Sequence, residues 1–334
     1  MLKTKKSSIF ALYLFLCFSM GLAGCQPKPA ESIPFIATAS VETEAVTQSP
    51  DSPTIALVMK TLTNPFFVQM EKGARQAEAE LGIQLIVKTA AEETSIQQQI
   101  EIVEELIKLK VDAIVIAPGD SSELIPVLKK AQDAGIIVVN IDNRLNPEVS
   151  RKVGLENVPF ISVDNEEGAY QSAQYVARKI NQPTKAVIIE GIVEAQNALD
   201  RKNGALRAFR ENVNINVVAV ESANWKIDEA YNVTKSLFEK YPDIGLIYCA
   251  NDMMALGAIQ YLQDFSIKNV LVVGFDNLEE AQLALSTGAL QATVDQQASV
   301  QGYTGVQYAV KLLQGEEVPA ETLVDTQLIT AIKQ

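Results

Sequence analysis

From residue 54 onward, apolar runs of strand length alternate with amphipathic segments of helix length. The runs read TIALVMK, IQLIVK, VDAIVIAP, GIIVVNID, KAVIIEG, INVVAVE, IGLIYCA and NVLVVGFD. Most are nearly continuous in Val, Ile, Leu and Ala, the pattern of parallel strands covered by helices on both faces. The segments 65–81, 94–110, 121–135, 165–181, 198–212, 228–240, 252–264 and 299–314 are long enough for crossover helices. An irregular stretch, 144–160, interrupts this repeat before ISVDNEEGAYQ, where the alternation resumes. The pattern therefore predicts an α/β chain with two open, doubly wound parallel sheets, more economical than one very large sheet. A single closed eight-stranded barrel is the rival architecture. The interruption speaks against it, as do the late strand-like stretches LQATVDQ and ETLVDTQLI, which need a place in some sheet.

The runs end in Lys60-Thr61, Pro118-Gly119-Asp120, Asp142-Asn143-Arg144, Glu190-Gly191, Asn251-Asp252 and Phe275-Asp276-Asn277. In open α/β sheets the carboxyl ends of the strands face the crevice where ligands bind, so two facing sheets would bring these polar tips together. The stretch TLTNPFFVQM opens the first helical segment at such a tip. Asn64 suits the N-cap and Pro65 the first helical position. At 100° per residue, Met70, Ala74, Ala77 and Leu81 form one apolar stripe with Phe66 and Phe67 on its two margins. A stripe centre cannot hold two neighbours, so at least one ring is free to line a ligand site.

Composition narrows the chemistry. Apolar residues make up 48% and charged residues 21% of 334 positions, which suits a globular chain of about two domains. The formal charge of −13 argues against nucleic acid as a partner. Histidine is absent, which removes the commonest general base, the Ser-His and Cys-His pairs, and the commonest metal ligand. No G-x-G-x-x-G, Walker A or G-x-S-x-G sequence marks a strand-to-helix turn, so neither a dinucleotide nor ATP has its phosphate cradle. No cofactor or metal is expected. The tips offer Asp, Asn, Gln and Arg with Phe and Trp nearby, a set suited to an uncharged, polyhydroxylated ligand: polar groups meet hydroxyls and ring faces cover C–H surface.

The N-terminus carries a separate message. Lys3, Lys5 and Lys6 precede the uncharged SSIFALYLFLCFSMGLAGC, whose apolar part is short for a bilayer span and suits an export signal. Leu22-Ala23-Gly24-Cys25 resembles the lipobox of bacterial lipoproteins, which implies cleavage after residue 24 and a lipid on Cys25. Loss of residues 1–24, with three lysines and no acid, would move the formal charge from −13 to about −16. Residues 25–53, rich in Pro, Ser, Thr and Glu, read as a flexible tether. Cys17 would leave with the signal and Cys25 would be lipidated, so Cys249, inside an apolar run, has no disulfide partner in the mature chain and is read as an inert core residue.

Taken together, TIALVMKTLTNPFFVQMEKGARQAEAELG, VDAIVIAP, GIIVVNID, SVDNEEGA, CANDMMALGA and VLVVGFDN resemble the ribose-binding-like group of periplasmic sugar-binding proteins of ABC importers, over nearly all of 54–330. The resemblance implies a type I periplasmic binding protein-like fold: an N-terminal lobe of 54–163 plus 297–324, a C-terminal lobe of 164–296 plus 325–334, and three hinge crossings near 162–165, 294–297 and 323–326. Such lobes close on a ligand by hinge bending. It also implies sugar contacts from Asn64, Phe66, Phe67 and Asp142 in one lobe, and from Trp225, Asn251, Asp276 and Gln296, with Phe275 beside them, in the other. Lys60 stands where the ribose-type pattern has a small hydroxyl residue, and Ala117 where it has asparagine. Asn143 intervenes before Arg144, and Leu199 replaces a sugar-binding arginine, leaving Arg201 and Asn197 as candidates. Asp120, at its own strand tip, completes the candidate set. These departures leave open another pentose, a hexose, a polyol or a sugar acid neutralised by Lys60. The implied protein is a monomeric, lipid-anchored receptor of the cell envelope that delivers a sugar to the transmembrane subunits of an ABC permease. A sensor presenting its closed form to a membrane receptor and a secreted carboxylate-based carbohydrate-active enzyme are the alternatives; the export signal and the missing N-terminal helix-turn-helix argue against a related transcription regulator.

Overall fold

The computed structural model describes residues 52–330. The expected export signal, Cys25 and all but the last two residues of the expected tether lie outside them. The chain starts with β1 (Thr54–Met59), α1 (Pro65–Leu81), β2 (Gln84–Thr89), α2 (Ile96–Leu109), β3 (Ala113–Ile116), α3 (Ile125–Asp133), β4 (Ile137–Ile141), α4 (Pro147–Val153) and β5 (Phe160–Val163). A second series follows: α5 (Asn165–Ala177), β6 (Thr184–Glu190), α6 (Gln196–Arg210), β7 (Ile215–Ser222), α7 (Ile227–Lys240), β8 (Ile244–Cys249), α8 (Asp252–Asp264), β9 (Leu271–Val273), α9 (Glu279–Ser286) and β10 (Ala292–Asp295). The chain closes with α10 (Ala298–Leu313), β11 (Glu321–Val324) and β12 (Gln327–Thr330).

Two open six-stranded sheets result, not a barrel, in the orders β11-β5-β4-β3-β1-β2 and β12-β10-β9-β8-β6-β7. Five strands of each follow the same winding, in which the first strand lies between the second and the third. The order reverses between β1 and β3 in one sheet and between β6 and β8 in the other, and a crevice at the strand ends is expected at such switch points. The first sheet is parallel throughout. The second departs from the expected all-parallel arrangement, because β12 runs antiparallel to β10. β11 and β12 are separated by only two residues yet belong to different sheets, so β12 enters its sheet from the hinge side, opposite to its neighbours.

The continuous apolar runs have the cause that their composition implies. Along β1, Ile55, Leu57 and Met59 pack with Phe67 and Met70, whereas Ala56 and Val58 face the other way onto Val103, Leu106 and Leu128. Both faces of the strand are covered, so no polar alternation survives. Helix α1 begins as its residues predict: the Asn64 side chain accepts the Phe66 N–H, Pro65 occupies the first turn, and Gly82 ends the helix in the left-handed conformation. Two helices have no counterpart in the apolar pattern. α4 lies in the stretch expected to be irregular and buries none of its side chains, so it carries no apolar stripe, although Asn146, Pro147 and Gly154 supply its caps. α9 is eight residues long. α3 also starts later than the expected segment, after a turn at 121–124.

The chain passes between the sheets three times. It leaves the first sheet after Val163 into α5, which packs on α6 and β10. It returns after Asp295 into α10, which packs on α1, β3 and β4. The third passage lies between Val324 and Gln327. Cys249, at the end of β8, is buried, and burial raises its thiol pKa. Among the described residues no helix is long and apolar enough to cross a membrane.

Candidate functional site

The strand tips of both sheets meet around one narrow gap lined by buried side chains. Lys60, Asn64, Phe66, Phe67, Glu93 and Asp142 line it from the first sheet, following β1, β2 and β4. Asn197, Arg201, Trp225, Asn251, Asp276 and Gln296 line it from the second, following β6 to β10. All twelve side chains are buried.

On the first side, Phe66 and Phe67 meet edge to face, with ring centroids 5.0 Å apart and planes at 78°. Both rings, not just one, reach the gap, because the helix start aims its first turn at the strand tips. Asn64 acts twice: Oδ1 caps α1, and Nδ2 donates to Glu93 Oε1 at 2.8 Å. Lys60 Nζ lies 2.8 Å from Asp142 Oδ2, and both residues are almost fully buried (2% and 3% exposed). A buried ion pair of this kind contributes little net stability, but loss of either partner strands a charge. Burial raises the Glu93 carboxyl to about pH 7, opposed by Lys60 and by the hydrogen bond from Asn64.

On the second side, Trp225 lies flat over Gly191, where a Cβ would fall 2.1 Å from the indole ring. Only glycine permits that approach. Asn251 caps α8 by accepting the Met254 N–H at 2.9 Å, while its Nδ2 donates to the Trp225 carbonyl at 3.3 Å. Arg201 organises this half. Its Nε donates to Asn165 at 2.8 Å, its terminal nitrogens to the Ala250 carbonyl at 2.9 Å and to Gln296 Oε1 at 3.2 Å, and it pairs with Asp276 at 3.5 Å. Its guanidinium stacks on Phe275, 3.8 Å from the ring centroid. Gln296 Nε2 donates to Asp276 Oδ1 at 2.6 Å. Burial raises the Asp276 pKa well above the usual carboxylate value, with Arg201 pulling the other way.

Three lining residues hold positive φ: Asp142 (63°), Trp225 (68°) and Asp276 (125°). Such backbone is costly for non-glycine residues and concentrates at ligand sites, where it turns a side chain to where it is needed. Three buried polar atoms of the lining have no hydrogen-bond partner: Asp142 Oδ2, which Lys60 neutralises, Trp225 Nε1, a donor, and Asn197 Oδ1, an acceptor; the last two have no ion pair either. Unpaired buried polar groups of this kind are costly unless a ligand satisfies them. Two rings below, a third above, and donors and acceptors at the edges can hold a flat, hydroxyl-rich molecule by stacking and hydrogen bonding.

Four expected site residues are used otherwise. Asp120 accepts the Ser122 and Glu123 N–H groups and so closes the turn before α3. Asn143 joins the lobes, accepting the Asn197 N–H at 3.2 Å and donating to the Pro118 carbonyl at 3.1 Å, so its polar atoms are spent on backbone. Arg144 points outward, pairs with Glu321 and lies over the Phe160 ring at 4.0 Å. Phe275 is the plate beneath Arg201, one layer behind the gap. Glu93 is a lining residue that the sequence reading missed. It sits just beyond the end of β2, in TAAEET, and the strand-tip argument applied to IQLIVK would have reached it. Among the described residues no group of three or more His, Cys, Asp or Glu is placed to hold a metal ion.

Comparison with known proteins agrees with this architecture. The model of the family described as periplasmic binding protein domain matches residues 55–317. The D-ribose/D-allose-binding protein of Pseudomonas aeruginosa is 40% identical over 293 residues, covering 85% of this chain and 91% of that one. The D-allose-binding periplasmic protein of Escherichia coli is 32% identical over 283 residues, with coverages of 82% and 91%. Among solved structures, an ABC transporter periplasmic solute-binding protein from Actinobacillus succinogenes with bound D-allose superposes with a TM-score of 0.79 at 37% identity, covering 84% of this chain and 98% of its own. The chain belongs to the periplasmic binding protein domain family, with two parallel-sheet α/β lobes of type I.

Proposed function

We propose that this chain is an extracytoplasmic receptor that encloses one monosaccharide between its lobes and delivers it to an ABC-type permease. Convergence of both sets of strand tips on a single closed gap, with ring faces on either side and an unpaired donor and acceptor within it, carries this reading. D-ribose and D-allose, named for the relatives, are the first ligands to test. Phe66, Phe67 and Trp225 would cover the ring, and Asn64, Asp142, Asn197, Asn251, Asp276 and Gln296 would meet its hydroxyls. Binding, not bond making, is the mechanism: the ligand favours the closed arrangement, which the permease then engages. Lipid on Cys25 would hold a monomeric receptor at the membrane. The lipid is tested by Cys25→Ala, which should move the protein from the membrane to the soluble fraction.

Thermal unfolding in the presence of pentoses, hexoses and polyols tests the binding reading. At a ligand concentration one hundred times Kd, a true ligand stabilises by about 2.7 kcal/mol and raises Tm by about 5–10 °C. A panel in which no monosaccharide shifts Tm overturns the proposal.

A further inference from the structure

The ionisable side chains of the gap do not balance. Lys60 holds Asp142 at 2.8 Å and Arg201 holds Asp276 at 3.5 Å, so each cation already has its carboxylate. Glu93 has none: its Oε1 accepts only the neutral amide of Asn64, and its Oε2 has neither an ion-pair nor a hydrogen-bond partner among the described residues. Yet Glu93 is buried and lines the gap. We propose that Glu93 is a specificity-determining residue that makes the gap refuse sugar acids and accept uncharged sugars, its free oxygen taking a hydrogen bond from a ligand hydroxyl. The inference rests on the sugar-binding reading above and narrows it: Lys60, which could have neutralised a uronate, is spent on Asp142.

The physical reason is desolvation. A uronate carboxylate brought into this closed space would lose its water, find no free cation, and lie with Glu93 across a few ångströms of protein. A hydroxyl faces neither cost and supplies the donor that Oε2 lacks. Besides Glu93, the charged groups facing it are Lys60 at the β1 tip, Asp142 at the β4 tip, Arg201 on α6 and, beyond β9, Asp276, whose own pKa burial also raises. Protonation of Glu93 would remove the surplus charge, so discrimination should weaken from pH 8 toward pH 6.

Calorimetric titration with D-allose, D-alluronate and D-alluronamide separates charge from shape, because the last two differ in little but charge. The wild-type protein should bind the amide on the order of 100-fold more tightly than the acid, and Glu93→Gln should narrow that ratio on the order of tenfold. Should Glu93→Gln not fold, the amide-to-acid ratio of the wild-type protein, measured at pH 6 and pH 8, replaces it, and the ratio should be smaller at pH 6. Equal affinities for acid and amide, a ratio indifferent to both Glu93→Gln and pH, or loss of both acid and amide, which would make the exclusion steric, overturns the inference while D-allose binding keeps the sugar reading intact. Failure of every neutral sugar overturns the sugar reading itself.

Discussion

Asp142 has two duties, and they bear on how it should be altered. It lines the gap, where the proposed function gives it a sugar hydroxyl, and it also neutralises buried Lys60. Asp142→Ala leaves an ammonium stranded and should cost about 3–5 kcal/mol in urea unfolding. The double variant Lys60→Met, Asp142→Leu should recover most of that stability while binding stays lost; equal instability of both variants would remove the ion pair from the account. Gly191→Ala puts a methyl into the indole ring of Trp225, the chain's only tryptophan, so its emission should change with no ligand present. Stability should also respond to pH. Burial raises Glu93 to about 7 and Asp252 to about 6, both above the usual unfolded carboxyl values near 4. Groups raised in this way stabilise the fold below their unfolded pKa and lose that contribution as pH climbs through the folded one. The unfolding free energy should therefore fall between pH 4.5 and 7, less steeply in Glu93→Gln; a rise over that range contradicts these assignments. At this scale the sequence shows which residue types stand at each tip, since Asn64, Asp142, Asn251 and Asp276 directly precede or follow apolar runs. It does not show that Asp120 and Asn143 spend their polar atoms on local backbone, because a turn and a ligand call for the same residues.

Elements were legible where they bury a face. Strands covered on both sides and helices with a full stripe announce themselves, whereas α4 buries nothing and is visible only through its caps. The antiparallel direction of β12 follows from chain geometry at the hinge, which no periodicity encodes. Helix contacts depend on small residues that a pattern does not single out. At the α1–α10 crossing, a Cβ on Gly73 would lie 1.8 Å from the Ser299 carbonyl oxygen, and one on Gly302 would lie 2.1 Å from that of Met70. Gly302→Ala must push these helices apart and should destabilise by about 1–3 kcal/mol in urea unfolding. Since α10 starts three residues after Asp295, where the chain passes between lobes, the same variant should also weaken ligand binding. An unchanged unfolding midpoint would show that the crossing is looser than its distances imply.

Across the whole molecule, the lobes touch through contacts that need no ligand. Lys226, next to Trp225, pairs with Glu92, next to Glu93, at 2.6 Å across the rim. Ser121 N donates to the Glu194 carbonyl and Gln196 N to Ser121 Oγ on the other side. An exposed pair contributes at most about 1 kcal/mol, so Lys226→Ala should weaken ligand affinity by no more than about fivefold, and the difference should shrink as salt rises. The two-lobed plan was readable from the broken βα repeat, because each lobe needs its own covered sheet; which tips close on one gap depends on the three passages between sheets. Convergence of those tips on one sugar is the central claim, and Trp225 reports on it directly. Titration of the protein with D-allose and D-ribose, followed by calorimetry and Trp225 emission together, should give saturable one-to-one binding with a matching change in emission. A sugar that binds with the emission untouched, or the absence of binding by any monosaccharide, would contradict it.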